Sequence, residues 1–190
     1  RGGLGCGRLM TLGVRVAGER RRVSAEGGGD GGTLRARMGS WAVGGEMNGA
    51  PIEVISANNR NRPDMAASVA KQWFDVEGVD VVVDLPQSGV ALAVSEIAKT
   101  RKKPALVVNP GSSDLTGPKC SPYTIHWTYD TWALAHGTAQ AVVKEGGDAG
   151  FFHTADSEFG QAMERDASGG GTSNGGRLRG SAAHTHTPTV

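Results

Sequence analysis

The chain has 190 residues, a length that supports one well-packed hydrophobic core and the beginning of a second. Its 20 lysine and arginine residues nearly balance its 19 aspartate and glutamate residues, so the net charge favours neither a nucleic-acid partner nor an anionic membrane. The longest apolar runs are much shorter than a membrane-spanning helix.

Residues 1–42 are rich in glycine and arginine and show little apolar periodicity. Such a composition buries too little apolar surface to offset the entropy lost on ordering, so we expect this segment to be poorly ordered. It contains no Walker motif and no GxGxxG placed between a strand and a helix, so it does not predict a phosphate-binding loop. It also lacks the interleaved aromatic residues of an RNA-binding tail.

The first regular elements are predicted from residue 48 onward. Residues 51–56 alternate apolar and polar side chains, which predicts a strand. Pro63 and Asp64 then open a helix that ends at Gly78. Its apolar side chains recur at helical spacing and should face a sheet: Ala66, Val69, Ala70, Trp73 and Phe74.

Residues 79–117 hold the central unit of the chain. Two apolar, β-branched runs, residues 79–85 and 104–109, flank a helix that we expect to run to about Lys99, with Ser88 in the N-cap position. This order predicts a βαβ unit of a parallel sheet covered on both faces. A turn of small and hydroxyl residues follows the second strand.

Strands and helices continue to alternate as far as residue 166. We expect strands at residues 123–127 and 150–154, and helices at about residues 130–145 and 158–166. After residue 168 the pattern fails, and we expect an irregular tail. The alternation predicts an α/β fold with a Rossmann-like, doubly wound parallel sheet.

Hydroxyl residues and a glycine follow the two central strands, at Ser88 and at Gly111, Ser112 and Ser113. Ligands of open α/β sheets bind beyond the carboxyl ends of the strands, where helix N-termini also favour anions. A carboxylate suits this edge better than a phosphate, because no basic residue stands in the serine turns. The alternative is that these serines only cap helices.

Aromatic side chains stand at two further strand-to-helix junctions. Tyr129 and Phe159 are placed to pack on the side chain of a bound ligand, although a core role for Phe159 is an equal alternative. We therefore predict a small-molecule site at this edge of the sheet.

An enzyme is disfavoured by the absence of the expected motifs. Ser112, Asp130 and either His126 or His136 are the residue types of a hydrolase triad, but no serine stands in a GxSxG motif. The glycine fingerprint of dinucleotide binding is also missing after the first strand.

We expect no cofactor and no metal. The two cysteines, Cys6 and Cys120, show neither metal-ligand spacing nor a disulfide framework. His184 and His186 lack a third ligand, so we interpret them as residues of a solvated loop.

Several motifs resemble the bacterial branched-chain amino-acid-type ABC transporter substrate-binding proteins. The resemblance covers roughly residues 43–166, and its motifs occur in the expected order: GGEMNGAPIEV at 44–54, QWF at 72–74, VALAV at 90–94, SDLTG at 113–117, CSP at 120–122, HWTYDT at 126–131, AD at 155–156 and FG at 159–160.

This resemblance implies the first lobe of a two-lobe type I periplasmic binding protein. Such a protein is exported to the periplasm, closes on an amino acid, an amide or a small carboxylate, and delivers it to a membrane permease without covalent chemistry. By the same resemblance, Ser88 and the turn of Gly111, Ser112 and Ser113 would hold the carboxylate and ammonium of the ligand. Tyr129 and Phe159 would flank it. Most of the second lobe would be missing.

The resemblance divides the chain into three parts: residues 1–42, the lobe with the start of the hinge and second lobe at 43–167, and a tail at 168–190. The two flanks keep family-like residues inside otherwise unrelated sequence, so we hypothesise that short frameshifts altered them. A ligand-sensing regulatory module of the same fold is the main functional alternative, and a doubly wound enzyme is a weaker one.

Overall fold

The computed structural model describes residues 10–16, 22–27 and 30–185. In chain order the strands are β1 (Met10–Val16), β2 (Arg22–Gly27), β3 (Glu46–Met47), β4 (Ala50–Asn58), β5 (Val79–Asp84), β6 (Ala105–Val107), β7 (Thr124–His126), β8 (Ala149–Ala155) and β9 (Arg177–His184). The helices are α1 (Asp30–Ala42), α2 (Pro63–Asp75), α3 (Ser88–Arg101), α4 (Thr131–Lys144) and α5 (Glu158–Ser173), with a short 3-10 helix at Ser113–Leu115.

The larger sheet confirms the predicted fold class. Its strands lie in the order β3-β4-β1-β2-β5-β6-β7. β2 pairs in parallel with β4 and β5, and β6 and β7 extend the parallel arrangement. β1 runs antiparallel to β2, β4 and β5. The parallel strands thus have the second-first-third-fourth-fifth order of a doubly wound α/β fold.

The main core lies between this sheet and helices α2 and α3. β5 and β6 contribute fully buried valines such as Val79, Val82 and Val107. The predicted apolar stripe of α2 is confirmed, with four buried members and Val69 packed against them: Ala66, Ala70, Trp73 and Phe74. A fully buried valine or phenylalanine contributes about 1.5–3 kcal/mol when it leaves water, and a buried alanine contributes less.

Helix α3 differs from the prediction at its first turn. The sequence places Ser88 where an N-cap residue would stand, but the N-cap is Gln87, whose Oε1 accepts a hydrogen bond from the Val90 amide at 2.7 Å. The longer glutamine side chain reaches the unpaired amide of the first turn. Ser88 is therefore the first helical residue, and it is buried.

The described parts of the N-terminal segment form β1, β2 and α1. β1 and β2 lie between β4 and β5 and share ladder hydrogen bonds with both. The expectation that residues 1–42 are poorly ordered stays a prediction. Residues 1–9, 17–21 and 28–29 lie outside the described residues.

A second, smaller unit follows β7. β8 and β9 form a parallel pair joined by α5, and α4 packs along α5. The sequence predicts the end of regular structure after residue 168, whereas α5 continues to Ser173 and β9 follows at Arg177–His184. Parallel pairing with β8 supplies the backbone hydrogen-bond partners that make Arg177–His184 a strand. A cavity of about 400 Å³ lies between α4, α5 and the sheet of β8 and β9, and many of the residues that line it are alanine or glycine.

None of the helices that the structure describes combines the length and the apolar character needed to cross a membrane.

Candidate functional site

The predicted serines lie where the central strands end, and they are bonded to one another. Ser88, at the start of α3, accepts a hydrogen bond at its Oγ from the Ser112 amide at 3.3 Å. Ser112 caps the 3-10 helix, because its Oγ accepts from the Asp114 amide at 3.4 Å. In both bonds the hydroxyl oxygen accepts, so each hydroxyl keeps its own proton to donate.

Gly111 lies against two aromatic rings. A Cβ atom on Gly111 would stand 2.8 Å from Cε2 of Phe159 and 3.4 Å from Cε2 of Tyr129. Both rings are partly open to solvent, with 38% of Phe159 and 55% of Tyr129 exposed. We call these three residues the Gly111 corner. Only a glycine at position 111 lets the Phe159 ring approach the backbone this closely. The Gly111 corner contains three of the six predicted site residues.

The Gly111 corner is fixed to the beginning of α4. The Thr131 amide donates to the Gly111 carbonyl oxygen at 2.6 Å. Asp130 caps α4 by accepting from the Ala133 amide at 2.8 Å, and Ser157 caps α5 by accepting from the Gly160 amide at 3.1 Å. Helices α3, α4 and α5 therefore all begin near this edge of the sheet, where their N-termini favour a negatively charged group.

Ser113 takes part in a second cluster that the sequence did not predict. Its Oγ donates to Oδ2 of Asp166 at 2.7 Å, and its amide donates to Oγ1 of Thr131 at 3.0 Å. Thr131 in turn donates to the same Oδ2 at 2.6 Å. We call Ser113, Thr131 and Asp166 the Asp166 junction. The Ser113 hydroxyl, which is predicted to bind the ligand, therefore donates its proton to Asp166 within this junction.

Arg165 lies on the solvent side of the Asp166 junction. Its guanidinium donates to Oδ1 of Asp166 at 3.1 Å, to Oδ1 of Asp114 at 2.7 Å and to Oγ of Ser113 at 2.7 Å. Burial disfavours ionisation of Asp166, but hydrogen bonds from Thr131, Ser113 and Arg165 outweigh it and hold the pKa below its ordinary value. The junction is thus built around a carboxylate.

Asp84 is a further residue that sequence reasoning missed. It ends β5 with φ at 85°, and Leu85 follows with φ at 56°. Burial raises the pKa of Asp84 to about 7, while the Leu85 amide and the charge of Arg35 act in the opposite direction. The only sequence signal was an acidic residue directly after three valines.

The described residues contain no cluster of three or more histidine, cysteine, aspartate or glutamate side chains able to hold a metal. Cys120 is an exposed free thiol, and Cys6 lies outside the described part of the chain. His184 belongs to strand β9 rather than to a loop, and its ring lies 4.7 Å from that of His153. His186 also lies outside the described part.

A doubly wound sheet with helix N-termini at its carboxyl edge is the arrangement in which open α/β proteins bind their ligands. The family model for periplasmic binding proteins matches residues 27–189. The chain therefore belongs to the periplasmic binding protein family. The match extends beyond residues 43–166, where the sequence motifs occur.

Solved structures agree with this assignment. A periplasmic binding protein from Burkholderia mallei shares 41% identity with a TM-score of 0.79, over 85% of this chain and 43% of that protein. A branched-chain amino acid ABC transporter periplasmic ligand-binding protein from Burkholderia xenovorans shares 28% identity with a TM-score of 0.63, over 81% of this chain and 41% of its own.

A solute-binding protein of an ABC transporter from R. palustris, solved with benzoate, has the same fold at 22% identity, with a TM-score of 0.68 over 81% of this chain and 42% of its own. The chain thus spans less than half the length of these three proteins. A search of curated proteins found no match.

Proposed function

We propose that the complete protein is the solute-binding receptor of an ABC importer. It would capture a small carboxylate, an amino acid or an amide between two lobes in the periplasm and deliver it to a membrane permease. Membership of the periplasmic binding protein family supports this proposal, as do the names of the two Burkholderia proteins. The family is one of binding proteins, which supports capture without covalent chemistry.

The observation that carries the proposal is the Gly111 corner. A contiguous exposed apolar surface beside helix N-termini is typical of a ligand-binding groove, whereas single exposed apolar side chains are common on any protein surface. Phe159 and Tyr129 offer apolar walls, and Gly111 leaves room for both rings to lie close to its backbone. A flat or branched apolar group of the ligand would pack on these rings.

The polar end of the ligand would lie toward the serine turn. Ser88 and Ser112 each keep a hydroxyl proton, but Ser88 is only 3% exposed and Ser112 is fully buried, so the partial charge of the helix N-termini would be the main attraction for a carboxylate. Ser113 would act through the Asp166 junction, because its hydroxyl is already bonded on both sides. We include branched-chain amino acids and benzoates in the candidate set, since relatives or fold neighbours carry those names.

The direct test is calorimetric titration of the complete protein with leucine, isoleucine, valine, benzoate, short amides and small carboxylates. We expect saturable binding of one compound class, and Phe159→Ala should weaken it by about 10- to 100-fold because an aromatic wall is lost. Phe151→Ala is the matched control, since Phe151 is 64% exposed on β8 away from the corner. Equal affinity in the Phe159 variant and the wild type would exclude the corner as the binding site.

A second variant tests the close approach at Gly111. Gly111→Ala places a methyl group 2.8 Å from Cε2 of Phe159, so the ring must move aside. We expect about a 10-fold loss of ligand affinity, measured by the same titration, with little loss of stability because a half-exposed ring can shift cheaply. Gly137→Ala is the control, because a Cβ there meets nothing within 4 Å.

A transport receptor and a ligand sensor would both pass these titrations. Uptake of the bound compound by cells that carry or lack the gene distinguishes them. Loss of uptake on deletion supports the receptor, whereas normal uptake with altered expression of other genes supports the regulatory module.

A further inference from the structure

The Asp166 junction ties together three elements that are distant in the sequence. It includes the 3-10 helix after β6, the first residue of α4 and the third turn of α5. Thr131 is fully buried and Asp166 is 8% exposed, so the bonds between them are shielded from water. Shielded bonds to an ionised carboxylate are among the stronger hydrogen bonds in proteins.

The junction and the Gly111 corner are two contacts of one helix with one turn. Phe159 and Asp166 stand seven residues apart on α5, and therefore on the same face about 10 Å apart along its axis. Phe159 reaches Gly111, and Asp166 reaches Ser113, only two residues further along the turn. The apolar contact between Phe159 and Gly111 does not fix the orientation of α5, because it has no preferred direction. The hydrogen bonds of Asp166 do have a preferred direction.

From this arrangement we propose that Asp166 is a positioning residue of the ligand site, whose carboxylate orients α5 so that the Phe159 ring stays across Gly111. The consequence for ligand binding rests on the proposed function. The predicted position of the Phe159 ring does not rest on the proposed function, because it concerns the protein without ligand.

The geometry requires a carboxylate at residue 166. Ser113 and Thr131 both donate to its Oδ2, while Arg165 donates to its Oδ1. An asparagine that kept its oxygen toward the two hydroxyls would turn its NH₂ group toward the Arg165 donor. The reverse orientation would present the NH₂ group to two donating hydroxyls. Either way at least one donor loses its acceptor, and α5 loses its fixed orientation.

The test uses the complete protein labelled with 4-fluorophenylalanine and observed by fluorine NMR. The chain has four phenylalanines, and Phe159→Leu assigns the signal of that ring. In Asp166→Asn we expect the Phe159 signal to move toward the position of a solvent-exposed ring. The signal of Phe74, which lies in the α2 core, should stay in place.

Glu164→Gln is the matched control. Glu164 is on the same helix and accepts one hydroxyl bond, from Thr154 at 2.8 Å, but does not belong to the junction. Its Phe159 signal should equal that of the wild type. If Asp166→Asn does not fold, Thr131→Val and Ser113→Ala each remove one hydroxyl donor to Asp166 and leave its carboxylate in place, and we expect smaller shifts in the same direction.

An unchanged Phe159 signal in a folded junction variant would overturn the proposal. A shift shared equally by Phe74 would also overturn it, because that result describes general loosening. Where the wild type binds a ligand, Asp166→Asn should weaken binding by about 10-fold and Glu164→Gln by less than about twofold. A displaced ring with unchanged affinity would overturn the role in binding. Absence of any wild-type binding would refute the proposed function alone, since the fluorine signal still decides the position of the ring.

Discussion

Gly160→Ala should destabilise the protein by about 3 kcal/mol, at the upper end of the cost of overpacking. A Cβ atom on Gly160 would lie 2.0 Å from the carbonyl oxygen of Ala155 and 3.0 Å from Cγ2 of Thr154. The oxygen cannot move aside cheaply, because it accepts the Ser157 amide at 2.8 Å. The first turn of α5 must therefore shift away from β8, and it carries Phe159 with it.

Urea denaturation of the complete protein measures this effect. Gly169→Ala is the matched control, since Gly169 is on the same helix and a Cβ there meets nothing within 4 Å. That variant should be stabilised by about 0.5–1 kcal/mol through helix propensity. Similar midpoints for the two variants would show that α5 does not begin as close to Ala155 as the structure places it.

The elements that depend on local pattern were predictable from the sequence. The stripe of α2 from Ala66 to Phe74 requires only helical spacing and one covering sheet. The strand-helix-strand order around Ser88 likewise predicts that β5 and β6 pair in parallel, and the structure confirms this pairing. The structure places Tyr129 and Phe159 beside Gly111, and the role of these residues in ligand binding stays a prediction.

The features that depend on distant pairing were not predictable. Asp166 bonds to Thr131 and Ser113, which lie 35 and 53 residues away, and neither spacing follows a helical or strand period. β9 gains its strand conformation from pairing with β8, because its own sequence lacks the β-branched and aromatic residues of a typical strand. The choice of Gln87 over Ser88 as N-cap depends on side-chain length and burial, which composition does not encode.

Asp84→Asn should stabilise the protein at neutral and alkaline pH, by an amount that grows from about pH 4 to about pH 7 and is constant above that range. The pKa of Asp84 rises from 3.8 to about 7 mainly because burial disfavours the charged form. A carboxyl with a raised folded-state pKa contributes stability that is complete below the unfolded-state pKa and is lost as pH rises through the folded-state pKa. The wild type should therefore lose stability between about pH 4 and pH 7, whereas the asparagine variant should not.

The full shift corresponds to about 4 kcal/mol, and partial access of solvent reduces the expected gain at pH 8 to about 2 kcal/mol. Asparagine is the informative replacement because it tolerates the positive φ of 85° at this position, where alanine would add backbone strain. Urea midpoints at about pH 5 and pH 8 measure the gain. Asp75→Asn is the control, since Arg101 holds the pKa of that exposed carboxyl below its ordinary value. A gain in the Asp84 variant that does not change with pH would mean that Asp84 is already ionised at pH 5, and that burial does not control this end of β5.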